Sequence, residues 1–309
     1  MTSISASMVK ELRDKTGAGM MDCKAALTEA DGDMEAAVDW LRTKGLSKAA
    51  KKAGRLASEG LIGLASEGGQ GALVEVNSET DFVARNEQFQ EAVGKIAELA
   101  LGAGGDLSKL AAMTYPGGEA TVDDQVKELI ATIGENMSLR RTAQLGVDKG
   151  VVASYLHNSV APGLGKIGVL VALESEGDEQ ELAAFGKQLA MHIAASSPLA
   201  VSTDELDADV VERERAILAE QAKESGKPDE VIQKMVEGRL RKYFEEVVLL
   251  NQTFVIDGES KVDQAVKAAE TQVGAPIKVA AFHRIALGEG LDKKEEDFAA
   301  EVAAAASGG

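Results

Sequence analysis

Val76-Asn77-Ser78-Glu79-Thr80-Asp81-Phe82-Val83-Ala84-Arg85-Asn86 sets a bulky ring beside a carboxylate where an alternating strand ends and a helix begins. Upstream, 61–65 and 72–76 are strand-like runs joined at Gly68-Gly69, a hairpin signal. Downstream, Phe89, Ala92, Val93, Ile96 and Leu99 line one stripe of a helix. A free-standing fold gains little from an apolar ring at such a corner, so the Asp81-Phe82 pair reads as made to enter a partner. The competing reading takes Phe82 as the first core residue of the following helix.

Further along, the same design recurs. Strand-like runs at 151–156 and 167–173 precede a helix with Leu182, Phe185, Leu189 and Ile193 at helical spacing, and Gly168-Val169-Leu170-Val171-Ala172-Leu173 holds the place of Gly71-Ala72-Leu73-Val74-Glu75-Val76. This predicts an α+β fold whose core has two related subdomains of antiparallel sheet plus helix, over 57–145 and over 146–204 with 248–288. Between the copies, a helix over 122–137 follows the loop Tyr115-Pro116-Gly117-Gly118. Over 205–247, two helical runs flank Ser225-Gly226-Lys227-Pro228, where Gly ends one helix and Pro opens the next. About 18 helical residues at about 1.5 Å each give an arm of roughly 27 Å. Its seam of Val211, Ile217, Leu218, Ile232, Met235, Val236 and Leu240 is narrow, which predicts a protruding coiled-coil hairpin. Strand chemistry returns at 253–257 and 277–287, and a short helix over 297–306 closes a C-terminal module at 289–309.

Residues 1–45 read as three short helices with the outline of a ubiquitin-associated domain. The first stops at Thr16-Gly17, the second breaks at Asp31-Gly32-Asp33, and the third, with Met34, Ala37, Val38 and Leu41 on one face, ends at Gly45. A basic linker helix over 46–56 follows, containing Lys48, Lys51, Lys52 and Arg55. It is either a solvated connector or an electrostatic contact to an acidic partner.

Bulk composition removes whole classes of function. A net charge of −18 over 309 residues disfavours direct nucleic-acid binding and an anionic membrane surface, both of which call for clustered Lys and Arg. The single cysteine, Cys23, forms no internal disulfide and reads as a small buried residue in a reducing compartment. No run has the length of a membrane span, and Met1-Thr2-Ser3-Ile4-Ser5-Ala6 carries no targeting segment, so a cytoplasmic protein is expected. The histidines His157, His192 and His283 are scattered, and no Walker phosphate loop occurs. Gly163-Leu164-Gly165-Lys166-Ile167-Gly168 fits a dinucleotide fingerprint in letters only, because it leads into a strand. No constellation for covalent chemistry is present, and the chain reads as an interaction protein, not an enzyme.

The corner motif, taken with Leu12-Arg13-Asp14-Lys15-Thr16-Gly17-Ala18-Gly19-Met20-Met21-Asp22-Cys23-Lys24, closely resembles elongation factor Ts. Ile133-Gly134-Glu135-Asn136-Met137, Gly226-Lys227-Pro228 and Met235-Val236-Glu237-Gly238-Arg239 agree as well, and the resemblance spans essentially the whole chain. It implies a guanine-nucleotide exchange factor acting on elongation factor Tu, without a cofactor, a metal or a tightly bound nucleotide of its own. It further implies that Thr80, Asp81, Phe82 and Val83 meet the partner near its magnesium site, that Arg13, Met20 and Met21 lie against a helix of the partner's G domain, and that His157 meets a β-barrel domain. Directly after His157 the chain departs from the common pattern, with Asn158-Ser159-Val160-Ala161-Pro162-Gly163-Leu164-Gly165 in place of a short connection. An adaptor that binds only through residues 1–45, with the remainder as scaffold, is the alternative.

Overall fold

The computed structural model describes residues 4–224 and 226–291. Three helices lead: α1 (Ala6–Thr16), α2 (Met20–Glu29) and α3 (Met34–Lys52). Ser5 and Asp33 cap α1 and α3 by accepting from the N–H groups of Met8 and Ala36, donors that a helix start otherwise leaves unpaired. Val9, Leu12, Cys23, Ala26, Leu27 and Ala37 close a small core among the three. Gly45 does not end the third helix, contrary to expectation. It is buried within α3, where an added Cβ would stand 2.9 Å from the Ala131 Cβ of α6 (Val122–Ile133). The missing side chain lets the two helices approach closely, and α3 runs on through the basic stretch. The helix expected over 46–56 is therefore mostly the distal part of α3.

Two antiparallel sheets form the centre. β1 (Glu59–Glu67), β2 (Gln70–Ser78), β3 (Met137–Gly146) and the two-residue β5 (Leu164–Gly165) make the first, in the order β3-β2-β1-β5. β4 (Gly150–His157), β6 (Ile167–Glu174) and β7 (Lys278–Ala286) make the second, in the order β4-β6-β7. The sheets meet face to face through Ile62, Leu73, Val152, Leu170, Ala172 and Ile285. On the far face of the first sheet lie α4 (Glu87–Ala100), α5 (Leu107–Ala112) and α6, with Phe89, Val93 and Ile96 of α4 sharing one core with Val74 and Val76 of β2. On the far face of the second lie α7 (Glu179–Ser196) and α10 (Val262–Val273), over Val169, Val171, Phe185, Leu189 and Val266. The layers thus run helix, sheet, sheet, helix. Alternation along β2 separates two cores, not core from solvent, and every residue of it after Gln70 is buried.

The repeated design is visible in the backbone. Gly60 near the start of β1 and Gly150 at the start of β4 sit at φ +125° and +124°, each with its Cβ position about on top of a partner-strand carbonyl, 2.1 Å from Val76 O and 2.0 Å from Leu173 O. Only glycine fits either place. Two further expectations fail. Residues 253–257 form a turn with one isolated bridge, Thr253 to Lys261, in place of a strand. The helix at 122–137 ends at Gly134, φ +92°, and β3 begins at Met137. Neither β3 nor α10 was foreseen. The helix expected over 297–306 lies outside the described residues.

The arm is present as α8 (Ala208–Lys223) and α9 (Asp229–Val247), whose seam of Leu218, Ala222, Val236 and Leu240 contains residues of these two helices alone. Ile217 faces out of it, 46% exposed. At the arm's root, Gln252 Nε2 donates to Glu246 O (2.6 Å) at the end of α9 and to Ser196 O (3.3 Å) at the end of α7. Its Oε1 takes the Nε2–H of the wholly buried His192 (2.9 Å), whose Nδ1 accepts from Val255 N–H (3.2 Å). That pattern requires the neutral imidazole. Burial lowers the pKa of His192 from 6.5, outweighing the upward pull of Gln252. The unfolded chain then binds the proton more readily, so this contribution to stability is complete above the unfolded pKa and is lost as pH falls through the folded one. Urea unfolding between pH 8 and pH 5 will show stability declining below about 6.5. His192→Gln will have a smaller slope.

Candidate partner-binding site

The polypeptide leaves β2 at Ser78 and turns twice before α4. Ser78 Oγ donates to Thr80 O (3.0 Å), and a 3-10 turn over Val83–Arg85 closes with Ala84 N–H on Asp81 O (3.2 Å) and Arg85 N–H on Phe82 O (3.1 Å). Asn86 then caps α4 through Phe89 N–H (3.1 Å). Val83 and Ala84, each 3% exposed, plug the first core from above. Phe82 points the other way and is 74% exposed. This removes the reading of Phe82 as a core residue, because Val83 fills that role. Leaving a Phe in water forgoes roughly 1.5–3 kcal/mol of burial, which a partner surface can supply. Asp81 is exposed too, and among the described residues its carboxylate has no hydrogen-bond or ion-pair partner.

A second loop braces the corner. Glu135 accepts from Thr80 N–H (2.9 Å) and Thr80 Oγ1–H (2.6 Å), while Glu79 accepts from Asn136 N–H. Lys52 at the end of α3 and Arg55 just beyond it hold that loop from behind: Lys52 Nζ donates to Gly134 O, Asn136 Nδ2 donates to Arg55 O (2.6 Å), and Arg55 pairs with Glu79 at 3.5 Å. Lys52 and Arg55 therefore serve the chain's own fold. Glu79, Glu135 and Asn136 had no role in the sequence reading, although Ile133-Gly134-Glu135-Asn136-Met137 was a matching stretch. A lone Glu after a helix-ending Gly signals nothing until its distant partner is known.

Met20 and Met21 are 57% and 77% exposed at the start of α2, and Arg13 is exposed on α1, so core filling is excluded for both methionines. The Gly17 turn between these helices lies so close to α4 and α6 that an added Cβ would meet Gln88 Nε2 at 3.1 Å and Thr132 Cγ2 at 3.2 Å. The turn just before Met20-Met21 therefore meets the first turn of α4, the helix that follows the Asp81-Phe82 corner. His157 ends β4, on the second sheet. It is exposed, with its Nδ1 3.2 Å from Tyr155 Oη. The long connection after it is folded: Ser159 Oγ donates to Ala161 O (3.1 Å), and β5 pairs with β1 at Ile62 and Gly63, burying Leu164 in the first core. Cys23 is fully buried, and burial pushes its thiol pKa up, against the downward pull of Thr16. No group of three His, Cys, Asp or Glu among the described residues could hold a metal, and no described helix is long and apolar enough to cross a membrane.

The family model described as Elongation factor TS matches residues 79–289, beginning at the corner itself. Elongation factor Ts of Parvibaculum lavamentivorans is 64% identical over 308 residues, covering 100% of both chains. The chain belongs to the elongation factor Ts family. Elongation factor Ts of Bartonella henselae is 61% identical over 306 residues (99% of this chain, 100% of the relative), and that of Rhizobium etli is 61% identical over 308 residues (100% of both). Membership in the elongation factor Ts family makes the protein a translation elongation factor. Elongation factor Ts relatives are matched along their full length, so the N-terminal helices and the arm belong to what is shared.

Proposed function

We propose that the chain is the guanine-nucleotide exchange factor of elongation factor Tu in a bacterial cytoplasm, accelerating GDP release without making or breaking a covalent bond. The observation that carries this reading is the 74% exposed Phe82 beside an exposed Asp81 that has no ion-pair partner among the described residues, on a braced corner. Family membership supplies the partner. In this reading Asp81 and Phe82 enter the partner's nucleotide domain near the magnesium ion, while Val83, expected to meet the partner as well, stays in the chain's own core at 3% exposed, and Thr80 is held by Glu135. A divalent cation bridging phosphates is among the largest local charges in such a site, so displacing the groups that support it weakens GDP binding. A ring inserted between packed elements biases them towards a second discrete arrangement. Arg13, Met20 and Met21 give an adjoining contact on the same domain, with unbranched methionines suited to an adaptable surface. His157 meets the partner's β-barrel.

Linkage makes the effect reciprocal: a factor that lowers GDP affinity by some ratio is itself bound more weakly by the same ratio when GDP is present. The factor accordingly holds the empty partner most tightly and is displaced by GTP. The test is release of a fluorescent GDP analogue from bacterial elongation factor Tu in excess GTP. Substoichiometric amounts of the chain should speed release. A folded chain that binds its cognate partner without changing the release rate would leave an adaptor in its place.

A further inference from the structure

The pair Asp81-Phe82 is exposed, Phe82 to 74%, and lies outside the hydrophobic cores of the described residues. Something else must set its direction. Downstream, Val83 and Ala84 are anchored in the first core. Upstream, β2 stops at Ser78, and the backbone crosses Glu79 and Thr80 before reaching Asp81. Within the strand end, Ser78 Oγ donates to Thr80 O (3.0 Å); from outside the segment the gap is spanned by Glu135, whose two carboxylate oxygens take both donors of Thr80, its N–H and its hydroxyl. The return bond runs from Asn136 N–H to the Glu79 carboxylate, so the two loops are tied in both directions. The second loop is in turn fixed by Lys52 on Gly134 O and by Asn136 Nδ2 on Arg55 O. Neither Thr80 nor Glu135 is fully exposed, which favours these bonds over water's.

We propose that Glu135 is a positioning residue for exchange: by clamping Thr80 it presets the Asp81-Phe82 corner in the free chain, in the geometry in which it enters the partner. This rests on the exchange reading above and deepens it. A corner ordered beforehand loses little conformational freedom on binding, whereas a loose one must be ordered at that moment. Fixing one residue's backbone costs enough to change a rate or affinity on the order of tenfold. Glu135 acts through Thr80 and touches no partner group in this account. Its charge is accordingly dispensable, while its two hydrogen bonds are not.

The experiment compares Glu135→Ala, Glu135→Gln, Thr80→Val and the Ala/Val double variant in fluorescent-GDP release from elongation factor Tu. Gln can keep both bonds, with its carbonyl accepting from Thr80 N–H and its amide donating to Thr80 Oγ1. Glu135→Ala should slow accelerated release by on the order of tenfold, and Glu135→Gln should restore most of it. The double variant should be no slower than Glu135→Ala alone, since both changes break one clamp. Amide exchange in the free chain gives a second readout: residues 80–86 should lose protection in Glu135→Ala and keep it in Glu135→Gln, with β1 and β2 unchanged in both. A Gln variant as slow as the Ala variant, with normal protection at 80–86, would mean that the charge acts directly and would overturn the proposal. So would an Ala variant as fast as the parent chain. If the parent chain itself fails to speed release, the exchange reading falls, and this proposal with it.

Discussion

Replacing Asp81 and Phe82 together by alanine is expected to remove the acceleration of GDP release, by at least about 30-fold if the ring is an interface hot spot. Stability should hardly move. Phe82 is 74% exposed and its backbone is in the ordinary helical region at φ −62°, ψ −35°, which alanine adopts without strain. Substitutions at such surface positions usually stay within about 0.5 kcal/mol. The underlying structure is kept by Val83, Ala84 and Glu135, none of which is changed. Stopped-flow release and a thermal melt on the same preparation check both halves. A double variant that melts normally and exchanges as fast as the parent would exclude this corner as the acting surface. A variant that exchanges slowly because it has unfolded would show as a lowered melting temperature.

The second large effect is on stability and lies inside the sheet sandwich. Glu75, wholly buried on β2, accepts from Arg140 Nη1 (3.0 and 3.1 Å), Arg141 Nε, Asn77 Nδ2 (3.0 Å) and the backbone N–H of Gly288 (2.8 Å). Burial alone would raise its pKa. The bonds from Gly288, Arg141 and Asn77 outweigh it, and the pKa is lowered from 4.5. Arg140 and Arg141 also donate to Glu289 O and Ala286 O, so the same cluster fastens the end of β7 to the first sheet. Glu75→Ala strands these donors and is expected to cost roughly 3–5 kcal/mol. Glu75→Gln, which keeps an acceptor but no charge, should cost less, about 1.5–3 kcal/mol. Because the folded pKa is depressed, the unfolded chain takes the proton first on acidification. The stabilisation is therefore whole above about 4.5 and is lost as pH falls through the folded value. Chemical unfolding at pH 7 and at decreasing pH checks this: the gap between parent and Glu75→Gln should close at low pH. An unchanged gap would assign the loss to packing.

How far the sequence could be read depended on the range of each interaction. The corner, the Gly68-Gly69 hairpin, the stop of α1 at Gly17 and the Gly226-Lys227-Pro228 break between α8 and α9 were legible because each is decided by neighbours in the chain. Hairpin pairing follows directly, with Glu67 opposite Gln70. β3 was not legible. It carries Ser138, Arg140, Arg141, Thr142 and Gln144, and its half-buried positions give no clean alternation. α10 carries a stripe of Val262, Val266, Ala269 and Val273 at helical spacing, a local signal of the same kind as the others. Gly45 was misread because a glycine late in a helix signals a stop locally, and only the Ala131 side chain of a distant helix makes it a contact point.

At the site itself, the chemistry was in the letters and its orientation was not. An Asp-Phe pair between a strand and a helix admits two readings, a surface for a partner or the first core residue of the helix. Whether the ring faces inward or outward is settled only when Val83 and Ala84 occupy the core beneath it and Glu135, 55 residues on, clamps Thr80. Helix caps, turns and periodicity are short-range, and a chain carries them whatever it folds against. The stacking of two sheets, the closure of a buried carboxylate by a backbone N–H 213 residues away, and the exposure of one ring are long-range. They exist only once separate segments compete for the same space and the same donors, and that competition is decided by the tertiary structure.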